Sequence, residues 1–217
     1  YLPIRATSVL RMKIRFKTIM LAGMAVAILL ILLSVYTSYN KNSPTQKVLD
    51  FRKQKDHYFR TSKDSPIPHH ENFKGLVYYE PTPTFKVKAN LTLLNDSVEF
   101  TLSRNDGKKS KYIRYAIASF VLNNREYNLT LLKLKERIDN NVLFIPFGDK
   151  TNGQETYEGG RYLDVKLKND KIIALDFNLA YNPYCAYSYK YSCPVPPREN
   201  ILDIAIEAGE KKYPREE

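Results

Sequence analysis

The sequence predicts a mainly β (α+β) protein. We expect an antiparallel β-sandwich or barrel of about eight strands with flanking N- and C-terminal helices, preceded by one transmembrane helix. Three observations predict this fold: an uncharged apolar run at residues 18–40, alternation of apolar and polar side chains between residues 85 and 177, and helical spacing of apolar residues on either side of that region. At 217 residues one globular domain is expected, and we place it at residues 47–217.

The uncharged run at residues 18–40 is long enough to cross a membrane, since a span needs about 20 predominantly apolar residues. Residues 1–17 carry five basic and no acidic side chains. By the positive-inside rule, this basic segment stays in the cytoplasm and the remainder is translocated. We therefore expect a transmembrane anchor or uncleaved signal in the cytoplasmic membrane, with a single pass, the N-terminus inside and the domain outside (periplasmic or extracellular).

A cleaved signal peptide is the main alternative for this segment, although the run exceeds the usual apolar region of about 7–15 residues and no A-x-A-like site follows it. A buried core helix is a second alternative, and it would need apolar neighbours on every face. Met12 opens a stretch typical of a translation start, which would make residues 1–11 an upstream extension.

The positive charge lies mostly outside the predicted domain body. The formal net charge is +11, of which residues 1–40 contribute +5 and residues 41–64 contribute +4. The remaining 153 residues contribute only +2. A nucleic-acid-binding module displays a basic patch on its fold, so we expect no nucleic-acid partner. The expected partners are the membrane, through residues 18–40, and an unknown small ligand or envelope protein.

A linker at residues 41–46 leads to a predicted amphipathic helix at residues 46–60, a stretch without Pro or Gly. Its apolar stripe is formed by Val48, Phe51, Tyr58 and Phe59. Its basic side chains are expected to be solvated or to touch anionic headgroups: Lys47, Arg52, Lys53 and Lys55.

Strands follow where the period changes to two. They are predicted at residues 85–93, 98–102, 112–122, 127–134, 142–147, 162–167 and 171–177. Turns are predicted at Asn95-Asp96, Asp106-Gly107, Asn123-Asn124 and Asn169-Asp170. A last helix is predicted from the N-cap Asn200, with Ile201, Ile204, Ala205 and Ala208 packed on the sheet.

Templates for catalysis and metal binding mostly fail. The three His residues all precede the β-rich region, and no nucleophile elbow, phosphate loop or dinucleotide-binding glycine pattern occurs. We therefore expect no cofactor and no metal, and we assign no catalytic residue.

Residues 148–162 hold four of the eight Gly residues between two strong strand patterns. Such a loop can bring backbone amides close to a ligand, with Arg161 to pair an anion. The alternative is a glycine-dependent hairpin loop in which Glu155 and Arg161 pair with each other.

Residues 176–197 hold both Cys residues in a stretch too irregular for a strand. A loop of about 20 residues in a compact domain is usually functional or held by a constraint. If the domain is translocated, Cys185 and Cys193 could form a disulfide that closes a small loop. Reduced structural thiols and a reactive or ligating pair are the alternatives.

Several motifs resemble one prokaryotic family. They include Gly153-Gln154-Glu155-Thr156-Tyr157, Gly159-Gly160-Arg161-Tyr162, Ala180-Tyr181-Asn182-Pro183, Cys185-Ala186-Tyr187 and Cys193-Pro194-Val195-Pro196-Pro197, together with Phe51-Arg52 and Lys55-Asp56 nearer the N-terminus. The chain resembles domain-of-unknown-function family number sixteen eighty-four over about residues 47–213. The sequence departs from the family pattern at Tyr184, where a second Pro is common, and at Glu158, where a Gly is common. The resemblance implies no activity and no functional residues.

The two unusual loops favour a binding or accessory module, since Tyr, Asn and Gly suit recognition. Its candidate ligand-binding residues are Glu155, Tyr157, Arg161, Asn178, Tyr181, Asn182 and Cys185. The alternative is an envelope enzyme of hydrolase type that uses Asp149, Glu155, Asp176 and Cys185. A structural role in an envelope complex is a third hypothesis.

Overall fold

The N-terminal helix carries the apolar run. In the computed structural model, the described residues are 5–41, 43–94, 99–134, 141–167 and 171–214, and helix α1 spans Arg5–Lys41. Its segment Thr18–Ser38 has a mean hydropathy of 2.7, and none of it is buried. By length and composition this helix could cross a membrane or serve as a signal sequence. The chain divides into two units, Tyr1–Lys47 and Val48–Glu217.

Helix α2 spans Pro44–Thr61 and confirms the amphipathic helix predicted at residues 46–60. It starts inside the segment predicted as a linker, because Pro is well suited to the first position of a helix. It buries Val48, Arg52 and Phe59. Arg52 was expected on the basic exposed face, but it lies under Tyr79 and Asn178 and donates to their backbone carbonyls at 2.8 and 3.3 Å.

Seven strands form one antiparallel sheet in the part of the chain that the structure describes. They are β1 (Lys86–Leu93), β2 (Glu99–Ser103), β3 (Lys109–Leu122), β4 (Arg125–Leu134), β5 (Val142–Phe147), β6 (Arg161–Lys166) and β7 (Ile172–Asp176). The order is β6-β5-β4-β3-β1-β7, and β2 pairs with the first half of β3. The sheet curls into a nearly closed barrel in which β6 and β7 approach each other without pairing. The predicted mainly β fold is confirmed, with seven strands against the expected eight or so.

The turn chemistry explains the β3–β4 hairpin. Asn123 and Asn124 have φ angles of 50° and 60°, which are the left-handed values that a two-residue type I′ turn requires. The Asp106-Gly107 turn between β2 and β3 is also formed, with Gly107 at a φ of 79°. The turns predicted at Asn95-Asp96 and Asn169-Asp170 lie outside the described residues.

The barrel interior is filled by apolar side chains from one face of β1 and of β3 to β7. The largest of those that are almost fully buried are Leu129, Leu131, Leu143, Ile145, Phe147, Leu163, Leu175 and Phe177. A register shift between Arg114 and Ala116 marks a β-bulge in β3. Because a bulge switches the side of the sheet to which following residues point, Tyr112 lies on the outer face and Phe120 on the inner face.

The outer face of the sheet carries an apolar patch of its own. Residues 181–197, here called the strap, add side chains to this patch and cover part of it. Phe144 stacks on Tyr112 at 5.5 Å and meets Tyr162 edge-on at 4.7 Å. The strap starts at an antiparallel bridge between Tyr181 and Tyr162, with two backbone hydrogen bonds of 2.9 Å. It ends beside β2, where the Val195 amide donates to the Ser103 carbonyl at 2.8 Å.

The predicted C-terminal helix is wrong: residues 198–214 contain a short 3₁₀ turn at Arg198–Asn200 and no α-helix. The Asn200 side chain is fully buried between β4 and β5, where it donates to the carbonyls of Thr130 and Pro146 and accepts from the Thr130 amide. The following backbone pairs in parallel with Gly148 through Ile201. Hydrogen bonds to other segments therefore replace those a helix would make, and they override the helical periodicity.

Candidate functional site

Arg161 is fully buried beneath the C-terminal segment. Its Nη2 lies 2.8 Å from Asp149 Oδ2, and it donates to the carbonyls of Ile206, Ala208 and Glu210. A guanidinium engaged in this way holds the chain and is not presented to a soluble anion. The alternative pairing with Glu155 is not formed either, because Asp149 supplies the carboxylate.

Glu210 is the centre of a second buried network, and its side chain is fully shielded from solvent. One carboxylate oxygen lies 2.6 Å from Lys55 Nζ on α2, and the other accepts from Asn182 Nδ2 at 2.9 Å and from the Tyr187 hydroxyl. The side chain of Asn182 is thus a hydrogen-bond partner of Glu210 within the fold. Lys55, expected on the exposed face of α2, instead pairs with this carboxylate.

Glu155 and Tyr157 point in different directions. Glu155 accepts a hydrogen bond of 2.5 Å from the Tyr79 hydroxyl, and burial together with this bond raises the pKa of Tyr79. Tyr157 donates instead to Cys185 Sγ at 3.6 Å. These two candidates therefore belong to two separate contacts.

Asn178 fixes the segment that follows β7. Its side chain accepts from the Thr82 amide at 2.9 Å and donates to the Thr82 carbonyl at 2.8 Å. It also donates to Asp176 at 2.8 Å. This reciprocal pairing occupies the side-chain amide within the fold.

Cys185 and Cys193 lie together in the strap, both buried and not joined by a disulfide. The Cys193 sulfur accepts from the Cys185 backbone amide at 3.2 Å. The hydrogen bond with the Cys185 thiol and, to a smaller extent, burial raise the pKa of Cys193 well above its ordinary value. The neighbouring rings are those of Tyr157, Tyr162, Tyr181, Tyr191 and Phe144.

The groups named for the hydrolase hypothesis have different partners. Asp149 pairs with Arg161, and Asp176 lies 3.2 Å from Lys86. Glu155 meets Tyr79, while Cys185 contacts the other thiol. Among the described residues there is also no group of three or more His, Cys, Asp or Glu side chains placed to hold a metal ion.

Tyr181 leads to a different location, the outer side of β6. Its hydroxyl donates to Asp164 Oδ2 at 2.8 Å. Asp164 is exposed as a residue, yet its carboxyl group lies against Tyr181; burial raises the pKa of this carboxyl, and the hydrogen bond from Tyr181 opposes the rise. Burial likewise raises the pKa of Tyr181 well above its usual value.

Asp164 borders a cavity of about 420 Å³ between β6 and β7, which do not pair with each other; this cavity is here called the groove. Its lining residues are Lys88, Leu163, Asp164, Val165, Lys166, Ile172, Ile173, Ala174, Asp176 and Leu179. At the end of the groove lined by Leu163 and Leu179, β6 pairs with the segment after β7 through the Tyr162–Tyr181 bridge. The groove therefore occupies the seam of the barrel.

Backbone groups also point into the groove. The Leu167 amide donates to the Asn141 carbonyl, and along an antiparallel strand the residues whose backbone bonds the neighbour alternate with those whose backbone points away. The backbone N–H and C=O of Asp164 therefore point away from β5. By the same alternation, the hydrogen bond from the Leu91 amide to the Lys171 carbonyl means that the backbone N–H and C=O of Ala174 point away from β1. The two strand edges thus direct main-chain donors and acceptors towards the same space.

A second cavity of about 440 Å³ lies over β1, β3 and β4 and includes Asn90, Ser119, Val121 and Glu126. The strands beneath it are paired with one another, so their backbone groups are already used. The groove differs in having two open strand edges and a carboxyl group with a shifted pKa.

Sequence reasoning missed Lys55, Glu210 and Asp164. Lys55 and Glu210 are 155 positions apart, and a pair at that separation leaves no local pattern. Asp164 occupies a polar position of an alternating strand, which on its own indicates only an exposed face. A signal was present for Lys55, since Lys55-Asp56 is among the motifs on which the sequence resemblance rests.

The comparisons with known proteins agree with the motifs. A family model described as "Protein of unknown function (DUF1684)" matches residues 71–211. The solution NMR structure of an uncharacterized protein from gene locus rrnAC0354 of Haloarcula marismortui is 37% identical, covers 76% of this chain and 92% of that chain, and has a TM-score of 0.63. No curated protein matches the chain.

Proposed function

The chain belongs to the DUF1684 family of proteins of unknown function, and from its own structure we propose that it is a membrane-anchored binding module. Its single span is α1, and its β-rich domain lies outside the cytoplasmic membrane. There the domain binds a small ligand in the groove between β6 and β7. The observation that carries the binding proposal is this cavity at the open seam of the barrel.

The groove has the attributes of a ligand site. Its volume of about 420 Å³ falls in the range of about 300–1,000 Å³ that small-molecule pockets occupy. Leu163, Val165 and Ile173 give it an apolar base, and Asp164 offers a carboxyl group beside the Tyr181 hydroxyl. A few polar groups converging on an apolar surface are what orients a small ligand.

The lining favours an amphipathic ligand. Lys88 and Lys166 supply positive charge at the rim, and Asp164 and Asp176 supply negative charge or hydrogen-bond acceptors. The open edges of β6 and β7 add main-chain donors and acceptors. A small molecule with an apolar body and a polar or zwitterionic group matches this combination.

The binding proposal is tested by thermal shift on the full chain in detergent, screened against amphipathic metabolites and envelope extracts. A ligand of the native state raises the melting temperature in proportion to its concentration. Ala174→Trp fills the groove from an exposed position on β7 and should abolish the shift. Asn90→Trp, in the second cavity, is the matched control and should retain it. A library without any stabilising compound, or a shift that survives in Ala174→Trp, would count against the groove.

The anchor proposal rests on the uncharged apolar segment of α1 and on the five basic residues that precede it. Alkaline carbonate washing should leave the protein in the membrane pellet at its full mass. An impermeant maleimide applied to intact cells should label Thr92→Cys, an exposed site on β1. Release at smaller mass would indicate cleavage, and labelling only after lysis would place the domain inside.

The enzyme hypothesis gains no support from the arrangement of its groups. Asp149, Glu155 and Asp176 make contacts with Arg161, Tyr79 and Lys86 respectively. A hydrolytic pair needs two carboxyl groups that share one substrate. We therefore put forward the binding role alone.

A further inference from the structure

The strap is held at both ends and by the buried Tyr187 between them. At the β2 end, Cys193 donates from its amide to Asn105 Oδ1 at 2.8 Å, and its carbonyl accepts from the Asn105 amide at 3.1 Å. At the other end, Tyr181 pairs with Tyr162. Between these anchors, residues 185–191 are held mainly by turns within the strap and by the buried Tyr187.

The two thiols lie at the base of this central section. The Cys193 sulfur is 3.2 Å from the Cys185 amide nitrogen, and the two thiols are hydrogen-bonded. Cys185 is 3% exposed and Cys193 is 8% exposed. A bond between the sulfurs would convert residues 185–193 into a closed ring resting on Tyr162.

The surroundings suit a disulfide better than the other uses of paired thiols. The three histidines lie in residues 57–70, far from the thiols in sequence, and the described residues form no metal-holding cluster. A raised pKa keeps Cys193 protonated, which removes the thiolate that nucleophilic catalysis or metal binding requires. A disulfide carries no charge, and so burial does not oppose it.

We propose that Cys185 and Cys193 are joined by a disulfide in the mature protein, made during folding by exchange with a disulfide donor. One cysteine thiolate attacks the donor, forming a mixed disulfide and releasing the first donor thiol. The second cysteine thiolate attacks the mixed disulfide and releases the other donor thiol. The cysteines are oxidised, the donor is reduced, and the two protons lost by the cysteines end on the donor thiols.

The timing follows from burial. In the folded strap both sulfurs are covered by tyrosine rings, and the thiolate is disfavoured. In the unfolded chain both thiols are exposed and ionise normally, so exchange is fast before the strap packs on the sheet. A chain that folds while reduced should therefore resist later oxidation.

The closed ring should stabilise the domain, because a cross-link restricts the unfolded chain. Linking the two residues should raise the melting temperature by roughly 5–10 °C in a domain of this size. The bond also fixes the strap next to Tyr181, whose hydroxyl binds Asp164 at the groove.

The test uses the full chain in detergent, unfolded and reduced, then refolded in a glutathione redox buffer. We expect intact mass to fall by two hydrogen atoms, peptide mapping to join the two cysteines, and the melting temperature to rise as stated until reductant is added. Refolding under reductant and then adding the same buffer should give much slower oxidation. A wild-type chain that stays reduced, forms only intermolecular bonds, or melts lower when oxidised would overturn the proposal.

Formation of the bond in cells rests on the proposed location outside the cytoplasm. Quenching intact cells with acid and then labelling the thiols with a heavy maleimide in denaturant should leave the wild-type chain unshifted unless it is first reduced. Cys185→Ala, which keeps one thiol, should shift without reduction and calibrates the gel. A chain that oxidises in the refolding assay but is reduced in cells would contradict the proposed location outside the cytoplasm. It would not contradict the pairing of the two cysteines.

Discussion

At the scale of single residues, the ion pair of Lys55 and Glu210 joins α2 to the C-terminal segment, and its Glu210 side chain is fully buried. Glu210→Gln keeps an oxygen for the side chains of Asn182 and Tyr187, but it removes the acceptor of the Asn182 backbone amide and leaves the ammonium of Lys55 buried without a carboxylate. Breaking a buried pair from one side costs about 3–5 kcal/mol, and we expect the free energy of unfolding to fall by that amount. Denaturant unfolding of the full chain in detergent measures it.

Two comparisons make this prediction specific. Lys53→Met removes an exposed positive charge from the same helix and should change stability by no more than about 0.5 kcal/mol. Lys55→Met combined with Glu210→Gln should be less damaging than the sum of the two single changes, since the pair acts as a unit. Additive effects would show that the two side chains do not interact.

Asp56 makes stability depend on pH. Burial raises the pKa of this half-buried carboxyl above its usual value of 3.8, against the opposing hydrogen bond from the Leu76 amide. The folded chain therefore holds the proton more tightly than the unfolded chain. The resulting contribution to stability is complete below the ordinary pKa and is lost as pH rises through the raised pKa.

Asp56→Asn removes this titration and keeps an oxygen for the Leu76 amide. We expect the stability of the wild type relative to the variant to decrease as pH rises from about 4. Unfolding free energies measured across this range give the difference. Asp64→Asn, on the exposed surface nearby, reports what removing any one surface carboxylate does. A wild-type advantage that grows with pH would contradict the sign.

At the scale of elements, the C-terminal segment depends on one glycine. Gly209 has a φ of 77°, and a Cβ there would lie 2.6 Å from the Ala180 carbonyl oxygen and 2.7 Å from that of Phe177. Gly107 has nearly the same φ, 79°, but its Cβ would meet nothing within 4 Å. The two positions therefore separate backbone strain from steric overlap.

Gly107→Ala should cost about 1–2 kcal/mol, the penalty of the left-handed region alone. Gly209→Ala should cost more than about 4 kcal/mol, because backbone must also move. Denaturant midpoints of the two variants provide the comparison. Equal losses would mean that the segment shifts aside without strain.

The sequence predicts elements well where the pattern is local. The alternation from Lys86 to Leu93 and the Asn123-Asn124 turn depend on neighbouring residues, and both are present in the structure. Asn200 is a good N-cap by residue type, but its side chain instead links β4 to β5 across 70 positions from Thr130. Long-range hydrogen bonds of this kind compete with a local helix and are invisible to periodicity.

The same distinction applies to the candidate site. The sequence predicts Arg161 and Asn182 as ligand-binding residues, whereas the structure shows that both side chains are fully buried. It could not indicate that Arg161 pairs with Asp149 and Asn182 with Glu210, because these partners come together only in the folded barrel. The groove was missed because no residue type in the sequence indicates that the edges of two strands do not pair with each other.

At the scale of the whole molecule, the β-rich unit Val48–Glu217 carries its own core. Deleting residues 1–43 should yield a soluble domain that starts at Pro44 and unfolds in one cooperative transition. Its circular dichroism should show mostly β structure, with the helix content of α2. Aggregation, or a broad non-cooperative melt, would show that the unit needs α1 in order to fold.

The contacts of residues 206–210 have a consequence for synthesis on the ribosome. Glu210 reaches back to Lys55, and Arg161 holds the backbone from Ile206 to Glu210. Until Glu210 has emerged, Lys55 lacks its carboxylate and Arg161, although paired with Asp149, lacks the carbonyls of the C-terminal segment, so the emerging chain gains little by folding early. Translation therefore delivers a largely unfolded chain, which is the form that a protein-conducting channel threads through a membrane.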